Sequence, residues 1–504
     1  MNLMNHTLTR SWRVVYIIFA FAIALLYDVF FWNVQPGIGF ALFVGLYVLG
    51  FIILTTLSEQ VHQPKALYLL IPILVFSLDV VLYNNNFVRN WVMLFVAVLL
   101  FIFSILLTLK NPSKYLFSFS HIPILRSIDL PFMKWGAMYR DLFSSKKEKR
   151  SELYKKIAIG IAISIPILII FGSLFVKADA VFAEWAQHMF DFTIQETTVW
   201  RVVRSVMITI FLGSLLYVVI DPSYTLGDKK LSAFKIDNTI TTIVLALVNI
   251  LFLTFVFIQL NYLFGSHDFV VEHGIVFAEY ARSGFFQLAW VIGLAAVMLI
   301  FFYRSAVFHG STLVLKLLKI LLIVQVGVIA MSALKRMNIY QDVFGYTVLR
   351  LYVEWFIYFC MVILALSAVS VGIDWKFRYF FYTSMLCGVV AMGIVSSINV
   401  DRMIARENVD RYLNGGKELD MGYLVFYLSI DAVPEIKRAF DAGYVYKGTN
   451  NDLHYTKDNF SEIYLGNKFT HLHRRVSGKK YMSFSQIHES WKEFNFGVHT
   501  LKNL

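Results

Sequence analysis

Apolar residues run along this chain in blocks of about 20, separated by short polar stretches. A helix that crosses the ~30 Å hydrocarbon of a bilayer needs about 20 such residues. Blocks of this kind occupy roughly 14–32, 38–57, 66–83, 91–109, 157–176, 199–220, 239–264, 285–303, 312–333, 351–371 and 379–398. The pattern predicts an all-α, polytopic membrane protein with about eleven transmembrane helices. The third block is the most interrupted, because Pro72 and Asp79 fall inside it. A proline is tolerated there when neighbours satisfy the carbonyl it frees.

The pattern changes twice. Residues 113–150 alternate aromatic and basic side chains around Pro123 and Pro131, which predicts interfacial helices rather than a folded domain. Beyond Ile398 the long apolar blocks stop, and 399–504 carries 15 basic and 13 acidic residues. That predicts a small, mainly helical soluble domain. The expected organisation is an N-terminal bundle of about four spans (1–109), a basic segment (110–156), a main bundle of about seven spans (157–398) and the C-terminal domain (399–504).

Composition agrees with the spans. Hydrophobic residues make up 58% of the chain and charged residues only 15%, against roughly 25% charged in soluble domains. The formal net charge is +12. Between Lys110 and Lys156 there are eleven basic and four acidic residues, so 11 − 4 = +7 comes from this one segment. A loop on the cytoplasmic face explains such a cluster without any nucleic-acid partner. Arg10 and Arg13 before the first block, and no small-residue cleavage pattern after it, predict a retained signal anchor with the N-terminus inside. Eleven crossings then put the C-terminal domain outside a bacterial plasma (inner) membrane. Lys335, Arg336 and Arg350 would also lie on the outer side, against the usual rule, and so need ion pairs or ligands. The two cysteines, Cys360 and Cys387, sit in apolar blocks and read as small buried side chains.

Ionisable groups inside spans are costly and default to pairing or functional roles. Asp79 and Glu354 are the deep ones, each a candidate for a cation pair or a proton relay, whereas Asp28 and Asn261 are near span ends and within reach of water. Three segments expected on the outer side are dense in polar groups. They are 267–283 with Glu279 and Arg282, 335–350 with Arg336, Tyr340 and Arg350, and 399–411 with Asp401, Arg406 and Asn408. If they converge, they form a charged pocket, and arginine forks suit a carboxylate or phosphate. Ion pairs that merely join loops are the competing account. His267, Asp268, Glu272 and His273 match no zinc-ligand spacing, and no nucleotide-binding, serine-hydrolase or catalytic-cysteine motif is present. No metal or cofactor is therefore expected.

The same segments carry a resemblance. Phe277-Ala-Glu-Tyr-Ala-Arg-Ser-Gly-Phe-Phe286, Leu334-Lys-Arg-Met-Asn-Ile-Tyr-Gln-Asp-Val-Phe-Gly-Tyr-Thr-Val-Leu-Arg-Leu351, Ile398-Asn-Val-Asp-Arg-Met-Ile-Ala-Arg-Glu-Asn408 and Tyr427-Leu-Ser-Ile-Asp-Ala-Val-Pro434 are similar to motifs of a bacterial multi-pass membrane family, domain of unknown function 4173. Asp221-Pro-Ser-Tyr and Trp491-Lys-Glu-Phe-Asn495 fit as well, so the resemblance covers about 220–500. Family members tend to have Gly-Leu-Thr where this chain has Gly345-Tyr-Thr347. The resemblance implies a polytopic membrane protein without an established activity, and it adds Asp431 to the candidate site.

Three functions follow from these features. The first is transport or handling of an anionic or lipid-like ligand through an outer pocket of Glu279, Arg282, Arg336, Tyr340, Arg350, Asp401, Arg406, Asn408 and Asp431. Asp79 and Glu354 would then couple it to protons. The second is a sensor or assembly protein whose C-terminal domain binds a protein partner. The third is a membrane enzyme on a lipid-linked substrate, which the short loop at Trp32–Gly37 disfavours.

Overall fold

A computed structural model describes residues 10–32, 35–108, 196–220, 238–264, 285–306, 313–375, 377–447 and 454–455. In lipid every backbone polar group must be satisfied within its own segment, so apolar blocks become helices. The helices are α1 Arg10–Phe31, α2 Ile38–Leu57, α3 Leu70–Leu82, α4 Met93–Thr108, α5 Glu196–Ile220, α6 Asn238–Phe264, α7 Phe285–Ala306, α8 Leu313–Phe344, α9 Val348–Gly372 and α10 Phe377–Ser397. Three further helices, α11 Val400–Gly415, α12 Met421–Tyr427 and α13 Val433–Asp441, follow the last apolar one. Among the described residues the only strands are Tyr446–Lys447 and His454–Tyr455, paired antiparallel.

Seven helices among the described residues are long and apolar enough to cross a membrane. Ten of the eleven predicted blocks coincide with a helix, and the remaining one, 157–176, lies outside the described residues, as does the basic segment 110–156. The interrupted third block is resolved by a division of labour. Pro64–Leu69 forms a 3-10 turn and α3 begins at Leu70. Pro72 thus falls in the first turn, where a missing N–H costs little. Leu49, Ile71, Leu247, Leu294 and Leu386 are each more than half exposed. In water such a surface would aggregate; in a bilayer it is the lipid-facing one.

The cores explain how the helices assemble. One forms among α1 to α4 around Tyr16, Phe51, Phe76 and Phe103. A second forms among α6, α7, α8 and α9 around Leu245, Ile292, Val326 and Ile357. Helix α10 joins them, with Val389 and Met392 against the first core and Phe380 packed with Ile363 of α9. Where α1 begins, Tyr16 hydrogen-bonds Ser58 at 2.9 Å. At the other end of the bundle the Tyr83 hydroxyl donates to the Ser397 carbonyl at 2.8 Å. The C-terminal unit sits at this second end. With 32 residues α8 is ~48 Å long, well beyond a ~30 Å hydrocarbon layer. Its last turns, which carry Lys335 and Arg336, therefore have room to project past the apolar layer.

The C-terminal unit has its own core of Val400, Ile404, Val409, Leu424, Ile436 and Phe440, closed by Leu351 of α9. Local signals set its helix ends. Asn399 caps α11 by accepting from the Arg402 N–H at 3.1 Å, and Gly416 ends it at φ +60. Asp420 caps α12 by accepting from the Tyr423 N–H at 2.9 Å. Pro434 lies in the first turn of α13, where it is preorganised for a helix.

Candidate functional site

The C-terminal unit is fastened to the bundle by side chains that bind backbone. The Asp431 carboxylate, 5% exposed, accepts the Asn84 N–H at 2.7 Å, from the corner between α3 and α4. Its other oxygen, Oδ1, is buried and accepts no hydrogen bond among the described residues. Burial raises the Asp431 pKa to about 7, reinforced by the nearby Asp401 charge and opposed by the Asn84 N–H. Asp401, also 5% exposed, accepts the Ser429 N–H at 2.8 Å. The corner itself is rigid: Asn85 accepts from the Val88 N–H at 2.9 Å, and Arg89 donates to the Asn84 side chain at 3.1 Å. Val88–Val92 is a single π-helical turn leading into α4.

A second fastening holds the turn between α8 and α9. Asn408 of α11 accepts the Tyr346 N–H and donates to the Tyr346 carbonyl, both at 2.9 Å. Gly345 adopts φ +79, and a Cβ there would collide with Asn408 Oδ1. The position thus requires glycine for conformation and for space. Arg350 donates to the Gly345 carbonyl at 2.6 Å and stacks 4.1 Å over the Tyr340 ring. The Tyr423 hydroxyl accepts the first helical N–H of α9, from Val348, at 2.8 Å.

Several predicted site residues therefore meet, but in separate groups rather than around one charged pocket. Arg350, Tyr340 and Asn408 surround the α8–α9 turn. Asp401 and Asp431 anchor the 429–431 segment. Arg406 is exposed and 3.8 Å from Asp410 of its own helix, while Arg336 is buried along α8. Glu279, Arg282 and the histidines at 267 and 273 lie outside the described residues. Asp79 is 3% exposed and accepts from Ser396 at 2.6 Å and Ser397 at 3.1 Å, both on α10. Glu354 accepts from Gln341 at 3.0 Å and from Tyr358 at 3.3 Å. Asp28 is held by two guanidinium groups of α5: Arg201 at 2.6 Å, and Arg204.

Two cavities lie at this junction. The larger, ≈ 810 Å³, is a groove walled by the 86–91 corner before α4, by α9 and by α10, under the C-terminal unit. Its walls include Trp91, Tyr352, Trp355, Phe359 and Met392, and among the described residues Asp401 is the one charged side chain lining it. Gly388 lies ~14 Å before the end of α10, and Phe359 ~17 Å past the start of α9. The groove thus runs to about mid-depth of a ~30 Å apolar layer. Trp91, Leu349 and Phe356 on its rim are 62%, 59% and 43% exposed, so it opens sideways. The smaller cavity, ≈ 590 Å³, lies between the α8–α9 turn and the C-terminal unit, and Thr347 and Tyr423 line both.

Sequence reasoning missed the groove residues. Their aromatic side chains lie in apolar blocks, where they are indistinguishable from lipid-facing or belt residues. Asn84 and Ser396 were equally silent, since only tertiary contact brings them to Asp431 and Asp79.

A polytopic α-helical membrane protein, with a helical unit clamped over a lateral apolar groove, is what fold and site define. Residues 70–439 match the family described as Domain of unknown function (DUF4153). That span is most of the chain, and the protein belongs to this family. The motifs implied an uncharacterised family, and the match is to one; the number differs, 4153 and not 4173, and so does the span, 70–439 against the expected 220–500. No curated protein and no solved structure matches the chain.

Proposed function

We propose that this protein binds and handles a lipid-like amphiphile, taken from the bilayer sideways into the groove between the 86–91 corner, α9 and α10. The observation that carries this reading is the groove itself: ≈ 810 Å³, apolar-walled, open at exposed rim residues and roofed by Tyr423 and Tyr427 of the C-terminal unit. A cavity of this volume suits an acyl or polyprenyl chain, and aromatic walls supply contact at small entropic cost. Because the lining carries one carboxylate and no basic side chain among the described residues, the geometry favours the lipid-like over the anionic ligand. Ion-coupled movement through Asp79 and Glu354 belongs to the same proposal. So does the orientation, with eleven spans in a bacterial inner membrane, the N-terminus cytoplasmic and the C-terminal unit outside. It rests on the basic 110–156 segment and on the placement of the C-terminal unit at the bundle end opposite the start of α1.

Ala391 lines the groove on α10, so Ala391→Phe fills it. The purified chain, placed in nanodiscs with a lipid carrying a diazirine in its acyl chain, is irradiated and digested. Adducts are expected on peptides containing Trp355 and Met392, reduced about tenfold by Ala391→Phe. Adducts on the exposed Leu294 of α7 should be unchanged. Equal labelling at Met392 in both proteins rules out a ligand in the groove.

A further inference from the structure

The smaller cavity has a chemistry of its own. Tyr346, Tyr412, Tyr423 and Tyr444 contribute to its wall, together with Glu418 and Asp420. Tyr412 and Tyr444 meet edge to face, ring centroids 5.3 Å apart. The Tyr444 hydroxyl donates to the Leu419 carbonyl at 3.3 Å, which fixes that ring at the cavity edge.

Among the described residues no basic side chain lines the cavity. The cations nearest to it are turned onto main-chain carbonyls. Arg411 and Lys417 both donate to the Asp342 carbonyl, Lys417 at 2.6 Å, and Arg350 donates to that of Gly345. Burial, then the charges of Glu407, Asp342 and Glu354, raise the Tyr346 pKa against the opposing charge of Arg411. Burial chiefly, with Asp401 and Asp420 adding, raises that of Tyr423 against the Val348 N–H and the charge of Arg350. Both phenols therefore stay neutral at physiological pH, with their electron-rich faces intact. Neutral aromatic faces combined with carboxylates recognise an ammonium group: the rings attract the cation through their quadrupoles, and the carboxylates neutralise it.

We propose that the smaller cavity binds the cationic ammonium head of an amphiphile whose apolar chain occupies the groove. This rests on the reading of the groove given above and names the ligand's head. Thr347 and Tyr423 belong to both walls, so a single molecule crossing between them reaches both cavities. Tyr423 is fixed there by the Val348 N–H, and Thr347 by its place between the clamped Tyr346 and the start of α9. Asp401 in the groove wall adds to the preference for a positive head and disfavours a phosphate or sulfate there.

Three chain-matched probes test this: decyltrimethylammonium, decyl maltoside and decyl sulfate, titrated calorimetrically into the full chain in nanodiscs, with empty nanodiscs subtracted. Decyltrimethylammonium is expected to bind about tenfold more tightly than either other probe, in line with cation–aromatic and carboxylate contacts in a partly dry site. Glu418→Gln changes an exposed residue that caps no helix, and Tyr412→Leu removes one ring; each should reduce the preference to about twofold. Ala391→Phe should weaken all three probes alike. If decyl sulfate binds as well as the ammonium probe, or if both head-cavity variants keep the preference, the ammonium site is wrong. The groove reading survives that result as long as Ala391→Phe still weakens binding. Should Ala391→Phe leave every probe unchanged, or should no probe bind above empty discs, both readings fall.

Discussion

Asp431 joins the C-terminal unit to the bundle through one hydrogen bond, and it does so from a site that disfavours its own charge. Its pKa in the folded protein is about 7, raised first by burial, against ~3.9 for an unperturbed aspartate. The sign follows from linkage: a raised pKa means that the folded state holds the proton more tightly than the unfolded chain does. The contribution to docking is full below ~4, declines as pH rises through about 7, and is constant above that. Exchange of the Asn84 amide, followed by mass spectrometry, should accordingly quicken between those limits. Asp431→Asn keeps an oxygen to accept the Asn84 N–H and cannot ionise, so its exchange should follow only the intrinsic pH dependence. A wild-type profile equally flat after that correction would show that Asp431 does not govern the junction. The spacing of residues around Asp431 gave no hint of this; the shift comes first from burial at the packed junction and then from the nearby Asp401 charge.

Among the helices, α1 and α5 are tied by an arrangement that their sequences only half disclose. Asp28 looked like a carboxylate near enough to a span end to reach water. Instead it receives Arg201 through both Nε and Nη2, at 2.9 and 2.6 Å, and Arg204 as well. The Arg204 guanidinium also lies 4.4 Å from the Trp32 ring centroid. The side chains of Arg201 and Arg204 are 42% and 30% exposed, so solvent screens part of the attraction. Asp28→Ala leaves two guanidinium groups with a lost acceptor, and should cost about 1–3 kcal/mol. Thermal unfolding in detergent measures it. Adding Arg201→Leu and Arg204→Leu should recover much of the loss, because the unpaired charges go too. No loss from Asp28→Ala would mean that the aromatic contacts alone hold the arginines.

Of the cores formed by the described residues, the C-terminal one is incomplete without the membrane bundle. Leu351 of α9 belongs to it, and Tyr346, Val348, Tyr352 and Trp355 pack against it. Residues 399–447 made alone should therefore expose that face. Rapid limited proteolysis and strong binding of an apolar dye are the expected results, and a protease-resistant, dye-silent fragment would contradict them. This dependence also gives the two cavities their shape. Each is walled on one side by the ends of membrane helices and on the other by the C-terminal unit, so neither exists in either part separately.

The helices were legible in the chain because a bilayer imposes a one-dimensional rule. About 20 apolar residues in succession have no other stable conformation in lipid, so blocks such as 38–57 and 351–371 declare themselves without reference to neighbours. The caps at Asn399 and Asp420 are equally local. Of the residues singled out as a candidate pocket, Asn408 and Asp431 bind backbone of the bundle, and Asp401 lines the groove. Their partners were not legible. Asp431 meets the backbone of Asn84 and Asp79 meets Ser396, both more than 300 positions away along the chain, and no periodicity reaches that far. The groove was hidden for a further reason. Trp355, Phe359 and Met392 are as apolar as any lipid-facing side chain, and only the way the 86–91 corner, α9 and α10 meet beneath the C-terminal unit turns them inward. Their chemistry was written in the sequence, but the empty volume between them is a property of packing.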